Sequence, residues 1–136
     1  MTDVELAWAA GLFEGEGSIR ISKPALRNWG SLAVDVPNTD EQVVRFFSER
    51  WGGSVHYTGS KLNRRGYWRW RCSSLQAARF LCAIRPFVVT TRVLTKLDHG
   101  LYFQRQKQQR SDEEYRQRQW EAYWWMAELN LRGVQP

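Results

Sequence analysis

The spacing of apolar and polar positions changes period several times along the chain, and each change marks an element. Thr2 and Glu5 form a Thr-x-x-Glu capping box, which starts a helix near Asp3. Within it Ala7, Ala10, Gly11 and Glu14 fall on one stripe at helical spacing. The period then drops to two. Ile19 and Ile21 alternate with Arg20 and Ser22, a half-buried strand ended by Lys23-Pro24. Residues 25–30 read as a hairpin loop. On the return strand Leu32, Val34 and Val36 alternate with Ser31, Ala33 and Asp35, so Arg20, Ser22, Ser31 and Asp35 are expected on one face. Thr39-x-x-Gln42 predicts a second capped helix, carrying Val43, Val44, Phe46, Phe47 and Trp51 and stopping at Gly52-Gly53.

The second half repeats the scheme. Val55 and Tyr57 alternate with His56 and Thr58, and a polar, basic loop over 59–66 leads to the strictly alternating Tyr67–Cys72. Trp68, Trp70 and Cys72 are expected in the core, with Tyr67, Arg69 and Arg71 outside. Ser73-x-x-Gln76 predicts a helix through Ile84 with Leu75, Phe80, Leu81 and Ile84 inward. A long helix follows from about Thr91 to Gln109, with Val93, Leu94, Leu97, Leu101 and Tyr102 at helical spacing. A last, aromatic helix opens at Ser111-Asp112-Glu113-Glu114 and carries Tyr115, Trp120, Tyr123 and Trp124. The order αββαββα with additional C-terminal helices predicts an α+β fold, one antiparallel sheet covered on one face by helices.

Two features of the first helix ask for an explanation. A glycine inside a soluble helix costs about 1 kcal/mol relative to alanine, so Gly11 needs a reason, and close approach of a second helix supplies one. Glu14 and Glu16 stand at the negative end of the helix dipole, unfavourable by about 0.3–1 kcal/mol each. Gly15 or Gly17 is available as a left-handed C-cap. Glu14-Gly15-Glu16-Gly17 is then either an ordinary solvated helix end or a carboxylate fixed at the mouth of a helix pair to hold a divalent cation.

The segment Ala9–Gly17 resembles the nine-residue signature of the LAGLIDADG homing endonucleases, and Ser18-Ile19 continues it. Gly11, Leu12 and Gly17 match outright, while Glu14 and Glu16 stand where the signature has Asp. The resemblance reaches over roughly residues 5–105 and implies a LAGLIDADG-type core whose sheet forms a DNA saddle. In that family the position of Glu16 binds the catalytic metal, Mg²⁺ or Mn²⁺, and that of Gly15 contributes a carbonyl. Pro86-Phe87-Val88-Val89-Thr90-Thr91-Arg92 resembles the family's Pro-aromatic-aliphatic segment, which runs into a Lys near the active site. Here Thr91 holds the Lys position and Arg92 follows, so either Arg92 substitutes or the site is weakened. Asn38 stands where relatives carry a Gln that orders water. The resemblance thus implies Glu16, Asn38 and Arg92 as catalytic groups and Ala7, Ala10, Gly11 and Glu14 as a dimer interface.

Charge agrees with a polyanionic partner. The chain of 136 residues has a net charge of +6. Residues 1–19 hold four acids and no base, 20–71 hold ten bases against four acids, and 72–110 hold seven against one. The candidate DNA contacts are Arg20, Ser22, Arg27, Asn28, Trp29, Ser31, Asp35, Lys61, Arg64, Arg65, Tyr67, Arg69 and Arg71. Arginine beside a basic loop suits bidentate contact with guanine or phosphate. Cys72 and Cys82 form no metal-ligand pattern, and His56 and His99 are isolated, which argues against a zinc site or histidine-based catalysis. No signal peptide or membrane-spanning run is seen, so a soluble, intracellular protein is expected. We expect residues 1–110 to form the endonuclease core and 111–136 an aromatic helix packed on it or on a partner. With one motif per chain, the enzyme reading is a homodimer cutting a long pseudo-palindromic duplex. The alternatives are a DNA-binding regulator or maturase acting on intron RNA without cutting, or a subunit pairing with a different chain.

Overall fold

Helix α1 (Asp3–Glu16) begins where the capping box places it: Thr2 Oγ1 accepts from the Glu5 N–H at 3.1 Å, and Glu5 Oε1 accepts from the Thr2 N–H at 3.3 Å. The computed structural model describes residues 1–24, 30–62, 64–106 and 113–134. Strands β1 (Ser18–Ile21) and β2 (Leu32–Asn38), helix α2 (Glu41–Trp51), strands β3 (Ser54–Thr58) and β4 (Tyr67–Ser73) and helix α3 (Ser74–Ile84) follow. A short 3₁₀ turn, Arg85–Phe87, leads to α4 (Thr91–Gln106), and α5 (Glu113–Val134) ends the fold. The strands form one antiparallel sheet in the order β1-β2-β4-β3.

The predicted alternation sets the two faces of this sheet. Ile19, Ile21, Leu32, Val34, Val36, Trp70 and Cys72 are buried under the helices. Trp70 stacks on Phe47 of α2 with ring centroids 5.0 Å apart and meets Phe80 of α3 edge-on at 5.0 Å. Phe13 of α1 meets Phe80 at the same separation, 5.0 Å. Each such pair contributes about 0.5–1.5 kcal/mol beyond area burial. Burial pushes the Cys72 thiol up to about 12, so this sulfur stays protonated. Gly52 and Gly53 end α2 with φ of 76° and 90°, a region that glycine enters without a Cβ penalty.

Several local expectations are corrected. The N-cap of α2 is Asp40 rather than Thr39, and its carboxylate accepts from the Gln42 N–H at 2.9 Å. Ser73 precedes α3 without a side-chain cap bond, and Ser74 enters the helix at φ 54°. Leu75, Tyr57 and Tyr102 are exposed, and Phe103 takes the buried place on α4. Gly15 lies inside α1, and Gly17 is extended at φ −81°, so neither is a left-handed cap. A Cβ on Gly17 would overlap the Phe13 ring, so Gly17 is needed for close packing.

Helix α5 lies along β1 and α4. Asn130 Nδ2 donates to the Ile19 carbonyl at 3.0 Å, and the Gly30 N–H donates to Gln119 Oε1 at 3.2 Å. Two side-chain amides thus take up backbone groups that a sheet edge would otherwise leave to solvent or to another strand. Trp124 is exposed, while Trp125 faces His99 of α4 and Trp120 lies near the Lys23 ammonium, both partly exposed. No helix among the described residues is long and apolar enough to cross a membrane.

Candidate metal site and nucleic-acid interface

Glu16 is the last residue of α1 and is exposed. Its Oε2 accepts from Asn38 Nδ2 at 2.7 Å. The orientation of Asn38 follows from its other partner: the Asp40 N–H can only donate, so Asn38 Oδ1 faces it at 2.8 Å and the amide nitrogen faces Glu16. The end of β2 and the start of α2 therefore aim the Glu16 carboxylate. Two of the three residues expected at the catalytic centre are brought into direct contact.

Glu14 behaves differently. It accepts from the Val89 N–H at 2.7 Å, from the Thr90 N–H at 3.1 Å and from the Thr90 hydroxyl at 2.7 Å. Burial works against its ionisation, but these three bonds and the nearby Arg92 outweigh it and hold the carboxyl below its usual range. Unfavourable at the end of its own helix, Glu14 is well placed at the start of α4, where N–H groups lack partners. Both oxygens are thus engaged within the chain rather than offered to a partner.

The expected small-residue stripe also divides. Ala10 is 0% exposed and packs inside its own chain, so it cannot meet a second one. Ala7 and Gly11 are exposed, and with Val4 and Gly15 they make an open strip at spacings of three and four. A Cβ on Gly11 or Gly15 would meet nothing within 4 Å.

On the sheet face away from the helices, the register sets Ser18, Asp35, Arg71 and Ser54 in one row. Arg20, Ala33 and Ser73 form the next row, and Pro37, Arg69 and His56 another. A groove of about 780 Å³ crosses this face, lined by Arg20, Ser22, Ser31, Ser54, Arg71 and Ser73. Asp35 corrects the expected contact list. At 3% exposed, it accepts from Ser18 Oγ at 2.6 Å and pairs with Arg20 at 3.3 Å, so it fixes Arg20 instead of reaching outward. Arg69 lies over the Tyr67 ring at 5.6 Å, and its buried Nε has no hydrogen-bond partner among the described residues. Lys61, Arg64 and Arg65 are exposed at the far tip of the β3–β4 hairpin, where Lys61 and Arg64 pair through their backbones. Arg27, Asn28 and Trp29 lie outside the described residues, as does the expected boundary at 110/111.

A second concavity, of about 330 Å³, opens at the end of α1 between β1, α4 and α5. Gly15, Arg20, Arg92 and Lys96 line it, with Asn130 from α5. Lys96 and Asn130 escaped the sequence reading. Lys96 stands one turn beyond Arg92 on α4, and that spacing was its available signal. The described residues contain no cluster of three or more His, Cys, Asp or Glu side chains able to hold a metal. Glu16 Oε2 is engaged by Asn38; the Phe13 carbonyl accepts from the Gly17 N–H at 2.8 Å, and the carbonyls after it at the end of α1 have no later helical N–H to accept from. Carboxylate and carbonyl oxygens suit Mg²⁺ or Mn²⁺, yet one chain supplies only part of a shell.

No family model and no curated protein matches the sequence. Solved structures do match the fold. The homing endonuclease I-CvuI, bound to the I-CreI target in the presence of Mg with the DNA not cleaved, superposes with a TM-score of 0.78 at 13% identity, over 98% of this chain and 84% of that one. The homing endonuclease I-TnaI superposes with a TM-score of 0.74 at 11% identity, over 98% of this chain and 100% of that one. The LAGLIDADG meganuclease I-AabMI, bound to uncleaved DNA, gives a TM-score of 0.66 at 12% identity, over 86% of this chain but 43% of that one. The chain has the fold of the LAGLIDADG homing endonucleases, the family to which the motif over Ala9–Gly17 pointed.

Proposed function

We propose that the chain is one subunit of a homodimeric, divalent-metal-dependent endonuclease that cuts a long, pseudo-palindromic DNA duplex. The observation that carries this reading is the end of α1: an exposed carboxylate, Glu16, aimed by Asn38 beside an open strip of Val4, Ala7, Gly11 and Gly15. Small residues on that strip let two α1 helices approach until their Glu16 side chains share one region. Glu16 and the Gly15 carbonyl from each copy, with oxygens from the DNA backbone, would hold the cation. When bound, Mg²⁺ or Mn²⁺ binds the scissile oxygens and lowers the pKa of an attacking water. Asn38 keeps Glu16 in place, and Arg92 supplies positive charge near the phosphate.

The sheet face supplies recognition. Arg71 and Arg20 offer charge to phosphates, and Arg69, held over Tyr67 in the neighbouring row, adds a guanidinium to the same face. Thr91, at the position of the family's Lys, favours the second reading, a saddle that binds DNA or intron RNA without cutting. A selection separates them. The protein with Mg²⁺ is incubated with randomised duplexes beside Glu16→Gln. Cut products with a symmetric consensus, at least about 10³-fold rarer for the variant, support the nuclease. Enrichment of a bound consensus with no cut ends in either sample overturns it.

A further inference from the structure

The concavity at the end of α1 has a charge balance that the fold does not explain. Its carboxylates are already committed: Glu14 to Val89 and Thr90, and the nearby Asp35 to Ser18 and Arg20. Arg20 is in turn paired with Asp35, and Arg92 lies near the Glu14 carboxylate, which leaves Lys96 as the cation to explain. Lys96 is half-buried and makes no hydrogen bond or ion pair among the described residues, yet it shares a helix face with Arg92 four positions earlier. Like charges at that spacing destabilise a helix. Burial, then Arg92, lower the proton affinity of the Lys96 ammonium. An anion seated in the cleft would relieve this repulsion.

We propose that this cleft is a seat for a backbone phosphate of bound DNA, with the Lys96 ammonium as its inner cation and Arg92 at its rim. The proposal rests on the DNA-binding reading of the sheet, but not on cleavage. The volume, about 330 Å³, accommodates a phosphodiester with several waters. Continuity selects the source of the phosphate. Arg20 lines both this cleft and the groove across the sheet, so a duplex lying in the groove brings its backbone to Lys96. Lysine also suits a phosphate, as a point charge that needs no fixed fork. Asn130, whose amide nitrogen is spent on the Ile19 carbonyl, closes the far wall.

The test is the salt dependence of DNA affinity for the full chain and for Lys96→Met and Lys96→Arg, on the duplex obtained from the selection. Met keeps most of the side-chain stem, and thermal melts confirm that each variant folds. Loss of one phosphate contact should reduce the slope of log K against log salt by about 0.9 per subunit for Lys96→Met, while Lys96→Arg keeps the wild-type slope. A wild-type slope in Lys96→Met overturns the proposal. Inorganic phosphate at constant ionic strength is the competing probe. A thermal shift that Lys96→Met abolishes, with the DNA slope unchanged, would mean a free-phosphate site and equally overturn it. If the wild type binds but never cuts while the slope still falls, the nuclease reading fails and the phosphate seat stands. If the wild type binds no duplex at all, both fail.

Discussion

Helix α1 has two faces built from the same small residues, and they answer to different neighbours. On the inner face Ala9 and Ala10 are fully covered, and Phe13 lies against Phe80 and over Gly17. On the outer face Val4 is 78% exposed, and Gly11 and Gly15 have open space where a Cβ would be. Gly17 is therefore explained within one chain, by the ring that occupies its side-chain position. Gly11 has no such explanation inside the chain, although it sits mid-helix where alanine would be better by about 1 kcal/mol. A glycine with open space where its Cβ would lie is what the proposed helix pair requires at this position.

The largest effect should come from filling the outer face. Gly11→Leu removes one of the two glycines inside α1, so the isolated fold should melt at the same temperature or higher. Two α1 helices could then no longer approach closely. Sedimentation should show a monomer, and cleavage should drop at least about a hundredfold, because a single Glu16 leaves the cation shell incomplete. A Gly11→Leu protein that remains dimeric and cuts at the wild-type rate would sink the proposed interface. The matching change on the inner face should act the other way. In Gly17→Ala the new methyl meets the Phe13 ring, and overpacking of this kind costs about 1–3 kcal/mol. The midpoint of urea unfolding should fall accordingly, with the dimer still formed under native conditions. Unchanged stability would remove Phe13 as the reason for Gly17.

The same helix shows what a sequence can and cannot convey. The capping box at Thr2 was legible because all of its partners lie within four residues. The sheet was legible because the period of two is a local signal, and it placed Trp70 and Cys72 inside with Arg69 and Arg71 outside. A stripe of small residues carries no sign of which side is covered, so Ala10 looked like Ala7. At α2 two caps competed, and Asp40 displaced Thr39 because Asn38 takes the Asp40 N–H while the Asp40 carboxylate reaches Gln42. Asp35 and Lys96 were illegible for one reason. Their roles depend on side chains from other elements, Ser18 and Arg20 for the first and the end of α1 for the second.

Glu14 and Glu16 sharpen the contrast at a smaller scale, two positions apart at the end of one helix. Glu16 engages Asn38 and remains exposed, whereas Glu14 gathers three hydrogen bonds from Val89 and Thr90 and ties α1 to the start of α4. Glu14→Gln keeps the shape but sets an amide N–H₂ against N–H donors, so the chain should lose about 1 kcal/mol of stability at neutral pH, a figure reduced by the partial exposure of the site. The pH dependence has a definite sign. The carboxyl of Glu14 is held below its unfolded value of 4.5, so its contribution is complete above that pH and fades as the pH falls through the depressed folded value. The wild type should therefore lead Glu14→Gln by a constant margin near neutrality, and the two urea midpoints should draw together as the pH falls from 4.5 through the depressed folded value. Because Glu14 anchors the loop that presents Arg92, the variant should also lower cleavage modestly while leaving the dimer intact. A margin that widens on acidification would mean that Glu14 is protonated in the folded chain and that its bonds to Val89 and Thr90 do not hold α4 in place.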